Sequence, residues 1–320
     1  MMCAMSTALP RRRRLTVLGL GLALLGSAVA VAPSAQAAVW RPFADDSPFN
    51  TRIASGPALD PNSSAMVDRA TRTGALHANL VAYGVPIVSA SPSSPTYHVT
   101  CTMGSAWGTC PFDDRSMPIP ADAAPSPGSD GALVVVDQAS GSTAEYWRAA
   151  HGGDGWVAGW GALNSLSGTG WGGSSTGSGA SRLAGVVRAS EIRTGWIDHA
   201  LVLQTDNVCR GTYRAPALKT DGDSTRSDCL PEGARLQLDP SIDVSSLPGS
   251  TSAERTVARA LQLYGGYVID RGGSPLSVSF EKLPGSTTTS PGAAYVEAGL
   301  RWDYDGLPHV PWNRLRVLAG

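Results

Sequence analysis

Beyond its first 37 residues the chain has no apolar run long enough to cross a bilayer, few lysines, no block of like charge, no heptad and no internal repeat. The first absence leaves no stable membrane span in the remainder. The lack of a basic stripe argues against a nucleic-acid partner. The five histidines, His77, His98, His151, His199 and His309, show no ligand spacing for zinc. Two catalytic strand signatures of jelly-roll enzymes, E-x-D-x-x-E and Q-I-H, are also missing.

What the chain does carry begins with an export signature. Arg11 to Arg14 precede an apolar run from Leu15 to Ala32 and an Ala35-Gln36-Ala37 exit, which predicts a signal peptide over 1–37 and a single secreted, extracellular domain over 38–320. Loss of the four arginines takes the net charge from −1 to −5, with 21 basic against 26 acidic residues. About 280 residues suffice for one large core, read as that of a monomer. Cys3 leaves with the leader, and an even set of Cys101, Cys110, Cys209 and Cys229 in an exported chain implies two disulfides. Of three pairings, the local one, Cys101 with Cys110 and Cys209 with Cys229, closes two short loops.

Abundant Gly, Pro, Ser and Thr point to short strands joined by turns. Asn62-Ser63-Ser64, also a glycosylation pattern, opens a helix whose intermittent apolar face is Met66, Ala70, Leu76, Leu80 and Val81. "GALVVVDQASGSTAEYWRAA" reads as a hairpin turning at Ala139 to Ser142, and "GWVAGWGAL" continues the strands. "NSLSGTGWGGSSTGSGAS" is too long for a tight connection, and such loops carry function or move. A second helix follows Thr251, whose capping box with Glu254 precedes Val257, Ala258, Leu261 and Tyr264 and stops at Gly265. "GYVIDRGG" is then a strand. The expected fold is mainly β, an antiparallel β-sandwich of jelly-roll type with about two peripheral helices.

Two stretches suggest chemistry. In "GWIDHALVLQTD", taken as a strand, Ile197, His199, Leu201 and Leu203 share a face and Asp198 points the other way. His199 is then either a core histidine held by a backbone carbonyl or an imidazole on a groove floor. In "TAEYWRA", Thr143, Glu145 and Trp147 share a face, a carboxylate beside an indole. Glycoside cleavage wants that pairing, since the acid protonates the glycosidic oxygen while the ring stacks on the sugar. Asp137 is the nearest second carboxylate; without it, a lyase would use His199 as base and Tyr146 or Tyr213 as acid. Trp147, Trp156, Trp160, Trp171 and Trp196 are close in sequence, and Trp147, Trp160 and Trp171 are the candidate sugar platforms. In the plainer alternative Glu145 pairs with an arginine and the tryptophans fill the core.

Two motifs carry less. Gly173 to Gly177 fits G-x-S-x-G, but no apolar strand precedes it to form a nucleophile elbow. Asp221, Asp223 and Glu232 hold calcium-loop positions one, three and twelve, yet Arg226 stands where glycine is required. That leaves a weak structural calcium site near Asp221 and Asp223 as the one cofactor expectation.

Finally, "DDSPFN", "VVVDQASGSTAEYWRA", "LAGVVRASEIRTGWIDHALVLQT", "LPEGARLQLDPSID" and "ARALQLYGGYVID", in that order, resemble a widespread family of secreted bacterial proteins with no established activity. The resemblance covers most of the chain after the leader and singles out Glu145 and His199. Phe49 stands where the family pattern has tryptophan, and Ala144 where it has tyrosine. Together these readings lead to a secreted enzyme cleaving a polysaccharide, more by hydrolysis than by elimination. A non-catalytic glycan-binding or cell-surface protein is the rival, which predicts Glu145 and His199 far apart or each locked in a structural bond.

Overall fold

A computed structural model describes residues 40–320 except 75, 154 and 174. The leader and Cys3 lie outside the described residues. The architecture is mainly β, with strand pairs of both senses. A six-stranded sheet runs His77–Asn79, Ser277–Ser279, Leu201–Thr205, Gly266–Arg271, Arg235–Leu238 and Leu315–Val317. Its first and third pairs are parallel and the others antiparallel. A four-stranded sheet runs Trp160–Ser165, Ser142–Trp147, Leu133–Asp137 and Ile87–Ser89, antiparallel except for the last pair. Where the sequence pointed to an antiparallel sandwich, both large sheets are therefore mixed, with antiparallel pairs in the majority.

Side-chain alternation divides the core into three apolar layers. On Leu133–Asp137, Val134 and Val136 face a layer shared with Val202, Tyr267 and Ile269 of the six-stranded sheet, whereas Leu133 and Val135 face a separate layer with Tyr146 and Phe112. On the far side of the six-stranded sheet, Leu201, Leu203, Leu236 and Val268 pack against the helices. Period-two strands with apolar residues on both faces are what a sheet covered on both sides requires.

The helix Ser252–Leu263 forms as expected: the Thr251 hydroxyl accepts from Glu254 N–H at 3.2 Å, the Glu254 carboxylate accepts from Thr251 N–H at 2.7 Å, and Gly265 follows at φ 69°. The first helix is shorter than its apolar spacing suggests. Ser63–Ala70 ends where Thr71 turns its hydroxyl back onto the Val67 carbonyl, and Gly74 takes φ 72°. Leu76 and Leu80 are still buried, but His77–Asn79 is a strand paired to Ser277–Ser279. Asn62 of the glycosylation pattern donates to the Ser227 carbonyl at 2.6 Å. Both disulfides, Cys101–Cys110 and Cys209–Cys229, are present. Among the described residues no helix is long and apolar enough to cross a membrane.

Candidate functional site

Glu145 sits on the central strand Ser142–Trp147, with Val134 and Ala162 as cross-strand neighbours, and is 0% exposed. Its two oxygens accept from the Thr143 hydroxyl (2.9 Å), the Asn164 amide (3.0 Å), the Ser175 hydroxyl (2.5 Å), the Ser181 hydroxyl and the Arg182 N–H (2.6 Å). A carboxylate has about four lone-pair sites, and five donors exhaust them. Glu145 therefore fastens the Gly/Ser-rich loop to the sheet and has no capacity left for a substrate, so the acid/base or nucleophile role expected for it is withdrawn. Ser175, the centre of the G-x-S-x-G pattern, donates to the same carboxylate; Ser174 lies outside the described residues.

Asp137 is not a partner carboxylate. It stands three residues from Val134, the neighbour of Glu145, which places it about 10 Å along the strand and on the opposite face. There it shapes the hairpin turn, accepting from Ala139 N–H at 3.0 Å and Ser140 N–H at 3.3 Å, and the Ser140 contacts hold its carboxyl below the usual range.

His199 differs from expectation in its surroundings. The segment before it is the short helix Ala189–Thr194, ended by Gly195 at φ 70°, and the strand begins only at Leu201. His199 is 3% exposed, its Nδ1 at 2.9 Å from the Ala200 carbonyl and its Nε2 at 3.0 Å from Glu191 Oε1. Arg188 pairs with the same carboxylate. Burial pushes the Glu191 carboxyl up, but His199 and Arg188 outweigh it and hold it below its ordinary range. With both ring nitrogens engaged, His199 has none free to act as a base. Its neighbours Ile197 and Leu201 belong to the helix-side core, whereas Val134 beside Glu145 belongs to the layer between the sheets. Tyr146, the suggested lyase acid, is 1% exposed on the other face of its strand, its hydroxyl pushed far up by burial; Tyr213 is exposed.

The tryptophans divide. Trp171 stacks on Phe49 at 5.1 Å and meets Tyr267 edge-on; it is part of the interior, not a sugar platform. Trp147 and Trp160 do line a cavity of about 610 Å³. They are joined there by Trp107, 52% exposed, which stacks on Trp147 at 5.5 Å and meets Trp160 edge-on at 5.9 Å. Arg148 lies over the Trp147 ring at 4.3 Å, and the Trp147 indole donates to Asp130 at 3.2 Å. Arg182, Lys219, Asp221 and Asp270 line the same cavity.

A second cavity of about 600 Å³, bordered by His77, Tyr83, Gln204 and Tyr304, shares Asp130, Thr176, Arg182, Asp270 and Arg271 with the first. The two are therefore contiguous. The long loop supplies their common floor through Thr176, with Ser175 and Gly177 lining the tryptophan side. Sequence reasoning named Trp147 and Trp160 but missed Trp107, Asp130, Arg182 and Asp270. Placement of Trp107 between Cys101 and Cys110 was the available signal.

Three carboxylates converge here, two of them, Asp221 and Asp270, among the lining of the tryptophan-side cavity. One oxygen each of Asp221, Glu232 and Asp270 lies within 4.8 Å of the others. Asp223, the expected companion of Asp221, instead pairs with Arg271 at 3.0 Å. Burial pushes the Glu232 carboxyl up to about 8, against the pull of the Thr220 hydroxyl and reinforced by Asp221 and Asp270. Burial also pushes Asp270 up to about 7, with Arg182 opposing and Asp221 and Asp130 adding. Comparison with family models, with curated proteins and with solved structures finds no match to this chain.

Proposed function

We propose that this is a secreted glycan-binding protein that holds a polysaccharide chain in the double cleft. The observation that carries the reading is the convergence of Trp107, Trp147 and Trp160 on one cavity that Asp130, Arg182 and Asp270 also line. Indole faces stack on the apolar face of a pyranose, while charged and amide groups across the groove bind its hydroxyls. Locking of Glu145 and His199 in structural bonds is what the binding reading expects. Export by the leader, consistent with two disulfides, places the cleft where polysaccharides are met. One apolar layer shared by the two sheets supports a sandwich, and their mixed strand senses depart from a jelly roll.

The test is affinity electrophoresis of the protein through gels containing plant, microbial or uronic-acid polysaccharides. Retardation in at least one gel, abolished in a Trp107→Ala/Trp147→Ala double variant that elutes as folded protein, is the expected result. Equal mobility in every gel, or retardation unaffected by the double variant, sinks the reading. Cleavage of the bound chain is the second reading, favoured by Asp130 and Asp270 both bordering both cavities. It predicts new reducing ends from a retarding polysaccharide, lost in Asp130→Asn.

A further inference from the structure

We propose that Asp221, Glu232 and Asp270 form a calcium site in the wall of the cleft. The chain brings them from three places: Asp221 from the loop closed by Cys209–Cys229, Glu232 from the strand Leu230–Glu232, and Asp270 from the strand Gly266–Arg271. Oxygens that share one calcium at 2.3–2.6 Å stand at most about 5 Å apart, and these three lie within 4.8 Å of one another. All-oxygen, all-carboxylate donors suit a hard cation and not zinc or copper.

Proximity of acids is common on protein surfaces, so the argument rests on Glu232. This side chain is 0% exposed, and its Oε1 has no hydrogen-bond partner. Its other oxygen accepts from Asp221 N–H at 3.1 Å, which fixes its direction. A buried carboxylate oxygen without a donor is costly, and the cations in reach do not remedy it. Lys219 is turned to the Thr176 carbonyl at 2.8 Å, Arg271 to Asp223, and Arg182 to the Ser175 carbonyl at 2.5 Å, pairing among the three acids with Asp270 alone, at 4.0 Å. Asp221 is exposed and, with Asp270, borders the tryptophan-lined cavity, so a cation has a path in. Gly177 backs the cluster: a Cβ there would stand 2.5 Å from Glu232 Oε1 and 2.6 Å from Asp221 Oδ1. Only a residue without a side chain leaves Glu232 and Asp221 this space.

The site is tested with terbium alone, without any glycan, so the result is independent of the glycan reading. Excitation of the tryptophans should give saturable terbium emission that calcium displaces. Glu232→Gln and Asp270→Asn should each weaken binding at least tenfold, and Asp223→Asn should leave it unchanged. Gly177→Ala, which keeps every carboxylate but fills the space, should weaken it as well; if Glu232→Gln does not fold, Asp270→Asn and Gly177→Ala decide. Absence of saturable emission from folded protein, or emission that survives Asp270→Asn and Gly177→Ala, overturns the proposal.

Discussion

Glu145 and Glu232 are both 0% exposed, and both lie against the Gly/Ser-rich loop, yet they are opposites in hydrogen bonding. Glu145 gathers five donors from four segments, while Glu232 has one oxygen with none. The first carboxylate is saturated by the chain itself and serves as a joint. The second retains unmet capacity at the wall of a cavity. Burial alone does not distinguish a structural acid from a functional one; the number of donors left wanting does.

The sharpest way to break this comparison is to make the same substitution twice. Glu145→Gln replaces an acceptor by a donor among five donors, and a loss of about 3 kcal/mol or more is expected from the denaturant midpoint. Glu232→Gln in chelator should cost far less or stabilise the fold, because one oxygen of this buried carboxyl has no donor to lose. Equal losses would erase the distinction. His199→Ala tests a second saturated group and is expected to cost about 2 kcal/mol by stripping Glu191 of one partner, with retardation in the polysaccharide gel unchanged. Lost retardation in folded His199→Ala protein would return the imidazole to the site.

The smallest effect is in the pH dependence. Carboxyls raised in the folded state, as Glu232 and Asp270 are, keep protons that the unfolded chain has released, so stability in chelator should fall as pH rises from about 4 to about 8. Depressed carboxyls act the other way: Asp239, held at about 2 chiefly by the Ser241 hydroxyl, and Glu191 contribute stability above the unfolded value that is lost on acidification. A melting temperature that peaks near pH 5 in chelator, with the alkaline decline flattened in Glu232→Gln, is the expected profile. A decline of the same slope in that variant would contradict the assignment.

Local rules made much of the frame legible. Thr251, Glu254 and Gly265 bounded a helix, the hairpin around Ala139 was marked by its turn residues, and cysteine spacing indicated both disulfides. Alternation correctly put Thr143, Glu145 and Trp147 on one face. It could not reveal that Asn164, Ser175, Ser181 and Arg182 would converge on the acid, because those contacts span 19 to 37 residues. The parallel pairing of His77–Asn79 with Ser277–Ser279 was invisible for the same reason. His199 is the core histidine held by a backbone carbonyl that its sequence allowed as one of two readings, but a strand from Gly195 onward hid its second partner, Glu191. Glu191 three residues after Arg188, with Gly195 as a stop, marked a short helix whose acid would meet the imidazole. The calcium-loop spacing brought Asp221 and Glu232 to notice but suggested Asp223 as the third acid, when the fold supplies Asp270 from a distant strand.

Neither large sheet contains a cysteine; the two cross-links instead close the two loops that bring Trp107, and Lys219 with Asp221, to the cleft. Shaping of the cleft is thereby expected to depend on disulfide formation. A chain kept among reductants is expected to possess its scaffold and lack these fixed loops, and gentle thiol treatment should uncouple far-ultraviolet dichroism from polysaccharide retention. Competence of the proposed cleft would follow oxidation of the cysteines, as a chemical postscript to folding.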